Sequence, residues 1–223
     1  MAKAYPVFLD LAAVKCLVVG VGAVGRRKID SLLQAGAGRL LALDPDPAAG
    51  QALPSSPALV FEAREFVPGD LIGCSLVFAS SAKKSLNSTV AALCAERGIF
   101  CNCVDAPEQG SFIVPASARC GELTLALSSG GASPAYARRL RQELEVWLQD
   151  RAPLASLLGR LRPLVLALGH DTGQNTELFR LLAHSELDQA LVRGDRELCL
   201  RLLEQVLPAG LHRHITELLD GLV

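Results

Sequence analysis

Residues 20–25 read GVGAVG, directly after the apolar run KCLVV (15–19) and directly before RRKIDSLLQAGA (26–37). An apolar β-rich run, a glycine turn and an amphipathic stretch in that order predict a strand, a tight loop and a helix over about Ala23 to Ala35. In a strand-to-helix turn of this kind the first glycine permits the turn. The second lets backbone approach a pyrophosphate, and the third lets helix and strand pack closely. Gly20, Gly22 and Gly25 occupy those places, with Ala23 and Val24 between them. The helix start then offers free N–H groups and the positive end of its dipole to phosphates. Taken alone the pattern is weak, because glycine is common in such turns.

The context strengthens it. Asp44 follows the next apolar run, RLLAL (39–43), 19 positions beyond Gly25. A carboxylate there suits the adenosine ribose hydroxyls and repels a 2′-phosphate, so NAD is expected over NADP, with Pro45 beside it. The alternative is that Asp44, within DPDP, caps a turn. Arg26, Arg27 and Lys28 crowd the first turn of the helix, where cations oppose the dipole. Either an anion compensates them or they form a solvated basic face.

Outward from this centre, β-rich and helical stretches alternate: ALVFEA (58–63), LVFAS (76–80), a helix near Leu86 to Arg97, and IFCNCV (99–104). That alternation predicts an α/β, Rossmann-type parallel sheet, with residues 1–115 as an NAD-binding domain. The segment DPDPAAGQALPSSP (44–57) reads as an exposed loop. From Gly110 to Ser129 the pattern changes to two strands around a Cys-Gly turn, with Leu123, Leu125 and Leu127 on one face. Ser133-Pro134 then opens a helix to about Asp150, the serine as N-cap and the proline at the first helical position. Residues 116–150 are therefore expected to form a small β-plus-helix dimerisation region. Beyond Pro153, LASLLGRLRPLVLAL, TELFRLLAH and RELCLRLLEQVL carry leucine-rich helical periodicity interrupted by Gly and Pro, and residues 151–223 are expected to be an all-helical domain.

Composition narrows the function classes. Half of the 223 residues are hydrophobic and the formal net charge is −1. A substantial core can form, and no long-range field favours nucleic acid or an anionic membrane. MAKAYPVFLDL lacks the plan of a signal peptide, and no apolar run reaches membrane-spanning length. Seven cysteines, mostly within expected strands and helices, argue against a disulfide framework and for a reducing, cytoplasmic setting. Cys101 and Cys103 read as buried apolar thiols. The four histidines, 170, 184, 212 and 214, lie late in the chain, and His212 and His214 at i, i+2 do not share a helix face, so no metal site is expected.

Three stretches belong at strand ends, where ligands of doubly wound sheets sit: FASSAKK (78–84), CNCVDAP (101–107) and ALSSGGASP (126–134). Ser80 and Ser81 are candidates to line the cofactor and Asn102 to meet a substrate. Asp105 is the carboxylate at the end of the CNCVD strand. It suits a proton acceptor, with an Asx-type turn as the alternative.

YPVFLDL, CLVVGVGAVGRRK, IFCNCVDAPEQGSFIVPA and LALSSGGASPAYARRLRQELE together resemble the precorrin-2 dehydrogenase family, which includes the amino-terminal half of bifunctional siroheme synthases. The resemblance covers about residues 5–145. It implies NAD-dependent oxidation of precorrin-2 to sirohydrochlorin in siroheme biosynthesis, often with iron insertion by the same site, and a homodimer. By position Asp105 matches the family's proposed catalytic aspartate, and Ser129 matches a serine facing the same cleft. The acetate and propionate arms of such a tetrapyrrole need cations, for which Lys28, Arg138 and Arg141 are candidates. Relatives often carry alanine where Gly25 stands. Ending at Val223, the chain lacks the methyltransferase half, so methylation is expected elsewhere. The competing class is an NAD-sensing Rossmann module acting through its helical tail. It would share GVGAVG and Asp44 but has no use for CNCVDAP together with SSGGASPAYARRL.

Overall fold

In the computed structural model, which describes residues 4–223, KCLVV forms the central strand β1 (Lys15–Val19) because both of its faces find apolar partners. Cys16 and Val18 face a layer containing Ile29 and Leu32 of helix α1 (Ala23–Gln34). Leu17 and Val19 face one containing Val90, Ala91 and Cys94 of α2 (Lys84–Glu96). The remaining strands are β2 (Arg39–Leu43), β3 (Leu59–Glu62), β4 (Cys74–Ala79) and β5 (Phe100–Cys103). They form one parallel sheet of order β3-β2-β1-β4-β5. The strand order reverses between β1 and β4, which opens a crevice at the carboxyl ends of these two strands.

Outside β5 the chain turns back and closes the sheet edge. The Ser111 amide donates to the Cys101 carbonyl (2.8 Å), and Ser111 Oγ accepts from the Cys101 amide (2.8 Å). Phe112 meets Phe78 edge-on, with ring centroids 5.4 Å apart. Such a return removes an exposed ladder of unpaired N–H and C=O groups. The stretch expected as a plain loop after Asp44 contains a 3₁₀ turn at Pro47–Ala52, capped by the Asp46 carboxylate.

The chain divides into two compact units, one ending at Val114 and the other running from Pro115 to Val223. The second unit holds an antiparallel hairpin, β6 (Ala116–Cys120) with β7 (Leu123–Leu127), against which α3 (Pro134–Gln149) packs. Ser133 Oγ accepts from the Tyr136 amide (3.2 Å), as its capping position requires. Helices α4 (Ala152–Leu166), α5 (Thr172–Ala183), α6 (Leu187–Arg193), α7 (Arg196–Val206) and α8 (Ile215–Leu219) surround a second core containing Leu157, Leu161, Leu182, Leu187, Leu203 and Ile215. Gly159 and Pro163 do not interrupt α4. A mid-helix proline costs about 3 kcal/mol. Burial of Leu157, Leu161 and Val165 on one stripe offsets it, at about 1.5–3 kcal/mol per side chain. Among the described residues no helix is long and apolar enough to cross a membrane.

Candidate functional site

The glycine loop leaves β1 at Gly20, whose φ of +90° lies in the region that disfavours side chains. A Cβ on Gly20 would stand 2.5 Å from the Ser81 backbone, and one on Gly25 would stand 2.0 Å from the Gly20 carbonyl oxygen. Both glycines are therefore demanded by packing in the fold itself. Gly22 differs: it is exposed, and a Cβ there would meet nothing within 4 Å. Gly22 is the N-cap of α1, with no side-chain cap and no acid in the first turn. The first amides of α1, at Ala23, Val24 and Gly25, thus have no intrahelical acceptor.

Asp44 braces this loop from the end of β2. Its Oδ2 accepts from the Val21 amide (2.8 Å), and its Oδ1 accepts from the Asp46 amide (3.0 Å). The carboxylate therefore does cap a turn. Each oxygen keeps a lone pair, so the same group can also accept from ribose hydroxyls. Pro45, beside it, is exposed.

The ends of β4 and β5 complete the crevice. Ser80 Oγ donates to the Gly20 carbonyl (2.8 Å), which ties the β4 end to the glycine loop. Asn87, on α2 and 1% exposed, accepts from the Ser81 amide (3.0 Å) and donates to the Ser81 carbonyl (2.8 Å). Its amide also donates to Asp105 Oδ1 (2.9 Å), and the Cys103 thiol lies 3.5 Å from the same oxygen. Desolvation alone would raise the Asp105 pKa. The Asn87 hydrogen bond, a backbone amide, the Cys103 thiol and the Lys84 charge outweigh it and hold the carboxyl below its ordinary range. Asp105 is exposed and ionised at neutral pH, as a proton acceptor must be. Asn87 was missed in the sequence because an asparagine inside a helical run carries no motif.

On the α1 side of the sheet, Lys28 is half-buried, its Nζ 5.7 Å from the Phe78 ring centre. Burial, then the neighbouring Arg27, lowers its pKa. Asn102 Nδ2 donates to the Phe112 carbonyl (3.1 Å). The other expected substrate residues lie in the second unit. There Ser129 Oγ accepts from the Ser133 amide (3.2 Å), Arg138 is exposed, and Arg141 is paired with Glu145 one turn along α3.

Cys101 and Cys103 are both buried on the α2 face. A hydrogen bond that Cys101 donates to Cys94, together with burial, pushes the Cys101 thiol upward, and burial followed by the Asp105 neighbour does the same for Cys103. These are protonated, inert thiols at neutral pH. His212 Nε2 contacts the Leu207 carbonyl (2.8 Å) and His214 Nε2 the Arg213 guanidinium (3.1 Å). Among the described residues no three His, Cys, Asp or Glu side chains converge as a metal site would need.

The donor set fits a nicotinamide dinucleotide. The space above Gly22 is open, the α1 start is uncapped, and Asp44 retains acceptor capacity. Comparison with known proteins agrees. Residues 7–116 match the family described as putative NAD(P)-binding, and residues 121–146 match the family described as sirohaem biosynthesis protein, central. The chain is 39% identical over 196 residues to siroheme synthase 1 of Aeromonas salmonicida, covering 86% of this chain and 41% of that one. It is 38% identical over 212 residues to siroheme synthase 2 of Klebsiella pneumoniae, covering 93% and 46%. It thus spans less than half the length of these curated relatives. A solved structure titled "SirC, precorrin-2 dehydrogenase" shares the fold, with a TM-score of 0.72 at 23% identity over 91% of this chain and 98% of that one. Along most of its length the chain is accordingly similar to siroheme synthases, with a segment that matches a putative NAD(P)-binding family followed by one that matches the central part of sirohaem biosynthesis proteins.

Proposed function

We propose that this protein is an NAD-dependent dehydrogenase that oxidises precorrin-2 to sirohydrochlorin. The observation that carries this reading is the meeting, at the carboxyl ends of β1, β4 and β5, of an open glycine loop with an ionised carboxylate, Asp105. Bound dinucleotide supplies the hydride acceptor. The protein's own groups do the rest. The α1 amides and Gly22 hold the pyrophosphate, and Asp44 accepts from the ribose hydroxyls and repels a 2′-phosphate, which favours NAD over NADP.

The oxidation removes a hydride from a saturated ring carbon and a proton from a neighbouring C–H or N–H. Asp105 takes that proton on a carboxylate oxygen. A macrocycle covering the exposed carboxylate excludes water and so raises its basicity in the complex. Lys28, Asn102, Ser129, Arg138 and Arg141 are assigned to the substrate, the cations to its acidic arms. Arg141 must exchange its Glu145 partner to do so. The same carboxylate suits iron insertion into sirohydrochlorin, because pyrrole N–H protons must leave as the metal enters. A homodimer belongs to this reading. Tyr136, Val146 and Trp147 on α3 are 50%, 64% and 47% exposed, an apolar surface that a second copy would cover. Light scattering that showed a monomer at micromolar concentration would count against the dimer.

The test is to incubate the protein with precorrin-2 and NAD, follow sirohydrochlorin absorbance, and then add ferrous iron. Absence of oxidation overturns the proposal and returns the NAD-sensing module as the better reading. Asp105→Asn keeps the side-chain size but not the proton acceptor. Its turnover should fall by roughly 10²–10⁴-fold, with NAD affinity and thermal stability nearly unchanged. If the Asn variant oxidises normally while Asp105→Ala unfolds, Asp105 is structural. Iron insertion lost together with oxidation assigns both reactions to one carboxylate.

A further inference from the structure

The geometry points to Asn87 as a positioning residue of this site, a buried amide that sets the Asp105 carboxylate on the same frame as the peptide wall of the glycine loop. The inference rests on the assignment of Asp105 as the proton acceptor. Asn87 sits in the first turn of α2, where Val90, Ala91 and Cys94 mark an otherwise apolar buried stripe. A hydrophobic residue there would favour both helix and core. Instead the position holds an amide with three hydrogen bonds. Its Oδ1 accepts from the Ser81 amide, while Nδ2 donates both to the Ser81 carbonyl and to Asp105 Oδ1.

The partners dictate the amide's orientation. Turned over, it would set its N–H₂ against the Ser81 N–H and its oxygen against a carbonyl and a carboxylate, so every contact would become repulsive. Ser81 is in turn the backbone that a Cβ on Gly20 would strike, and its neighbour Ser80 bonds the Gly20 carbonyl. Gly20, Ser80-Ser81, Asn87 and Asp105 therefore form one continuous chain of contacts from the dinucleotide loop to the base. Such a chain fixes the carboxylate relative to the cofactor loop, and misplacement of a reacting group by even 1 Å is costly. The charged and titratable groups acting on Asp105 are Lys84 on α2 and Cys103 on β5, and Cys103 in turn feels Glu108 in the turn that follows.

The experiment uses the full chain with Asn87→Ser, which is neutral and too short, and Asn87→Asp, which is isosteric but loses both donor bonds and adds a negative charge. Carbon-13 NMR follows the Asp105 carboxyl, with Asp105→Asn identifying its signal. The Asp105 titration should move to higher pH in Asn87→Ser and further in Asn87→Asp. Turnover of precorrin-2 with NAD should fall on the order of 10- to 10²-fold, with the acid limb of its pH profile displaced in the same direction. The NAD dissociation constant should stay within about threefold, since Gly22, the α1 amides and Asp44 are untouched. Asn87→Ser should cost nothing further in an Asp105→Asn background if Asn87 acts through that carboxylate. An unmoved Asp105 titration in both variants overturns the assignment, and so does a turnover loss that merely follows lost folding or lost NAD binding. If Asp105→Asn itself oxidises normally, the base reading falls. If Asp105→Asn is inactive while the Asn87 variants oxidise normally, only the role of Asn87 falls.

Discussion

Alanine at two glycines of one loop separates a turn from a dinucleotide site. Gly20→Ala forces a side chain onto φ +90° and onto the Ser81 backbone at 2.5 Å. The left-handed conformation costs about 1–2 kcal/mol, and the overlap about 1–3 kcal/mol more. A domain of this size loses roughly 4 °C of melting temperature per kcal/mol, so a loss of about 8–20 °C is expected without any ligand. Gly22→Ala is different. Its φ of −67° and ψ of −171° suit any residue, and its Cβ meets no protein atom within 4 Å. Stability should change by less than about 1 kcal/mol, since the lower entropy of the unfolded chain and the poorer N-cap oppose each other. In the proposed site that methyl would nevertheless stand where backbone must approach the pyrophosphate. Loss of one charge-assisted amide–phosphate bond, about 1.5–3 kcal/mol, weakens NAD binding roughly 10- to 150-fold. Calorimetric titration with NAD and thermal melts of both variants provide the assay. A Gly22→Ala protein that binds NAD like the parent would refute the reasoning and leave the glycine loop as a turn alone.

If Asp44 selects NAD over NADP as proposed, Asp44→Ser should narrow that preference, by removing both the ribose hydrogen bonds and the repulsion of a 2′-phosphate. Equal use of the two cofactors by the unmodified protein would refute that assignment. Asp70→Asn tests stability away from the site. Arg64 bonds both Asp70 oxygens (2.7 and 2.9 Å), and the Val67 amide donates to Oδ2 (2.8 Å). The Arg64 hydrogen bonds, working against burial and aided by that amide, hold the Asp70 carboxyl below its usual range. Its stabilisation is therefore complete above the unfolded carboxylate pKa and is lost as pH falls through the lowered folded one. Because Arg64 is partly exposed, the loss at neutral pH should be about 1–3 kcal/mol. The variant's denaturation midpoint should vary less with pH in the acid range. An equally steep acid dependence in the variant would show that other carboxylates carry it.

The elements that depend on local spacing were legible in the sequence. KCLVV before GVGAVG specified strand, loop and helix, and Ser133-Pro134 specified the start of α3, because periodicity and capping act over a few residues. The Asp44 and Asp105 positions were also legible, since each directly follows an apolar strand. Only the tertiary structure decided what those carboxylates touch. Asp44 reaches the Val21 amide 23 positions away, and Asp105 reaches Asn87 18 positions away. Those contacts exist because β2 lies beside β1, and because α2 packs on the neighbouring strands β4 and β5. The same holds for the continuity of α4 through Pro163, which the packing of a distant helical core sustains. It holds too for the three glycines. They are equivalent as letters, yet the backbone of Ser81 and the carbonyl of Gly20 close the space around Gly20 and Gly25, while the space around Gly22 stays open. Spacing along a chain encodes local conformation, whereas the space around a residue is set by segments that arrive from far away in sequence.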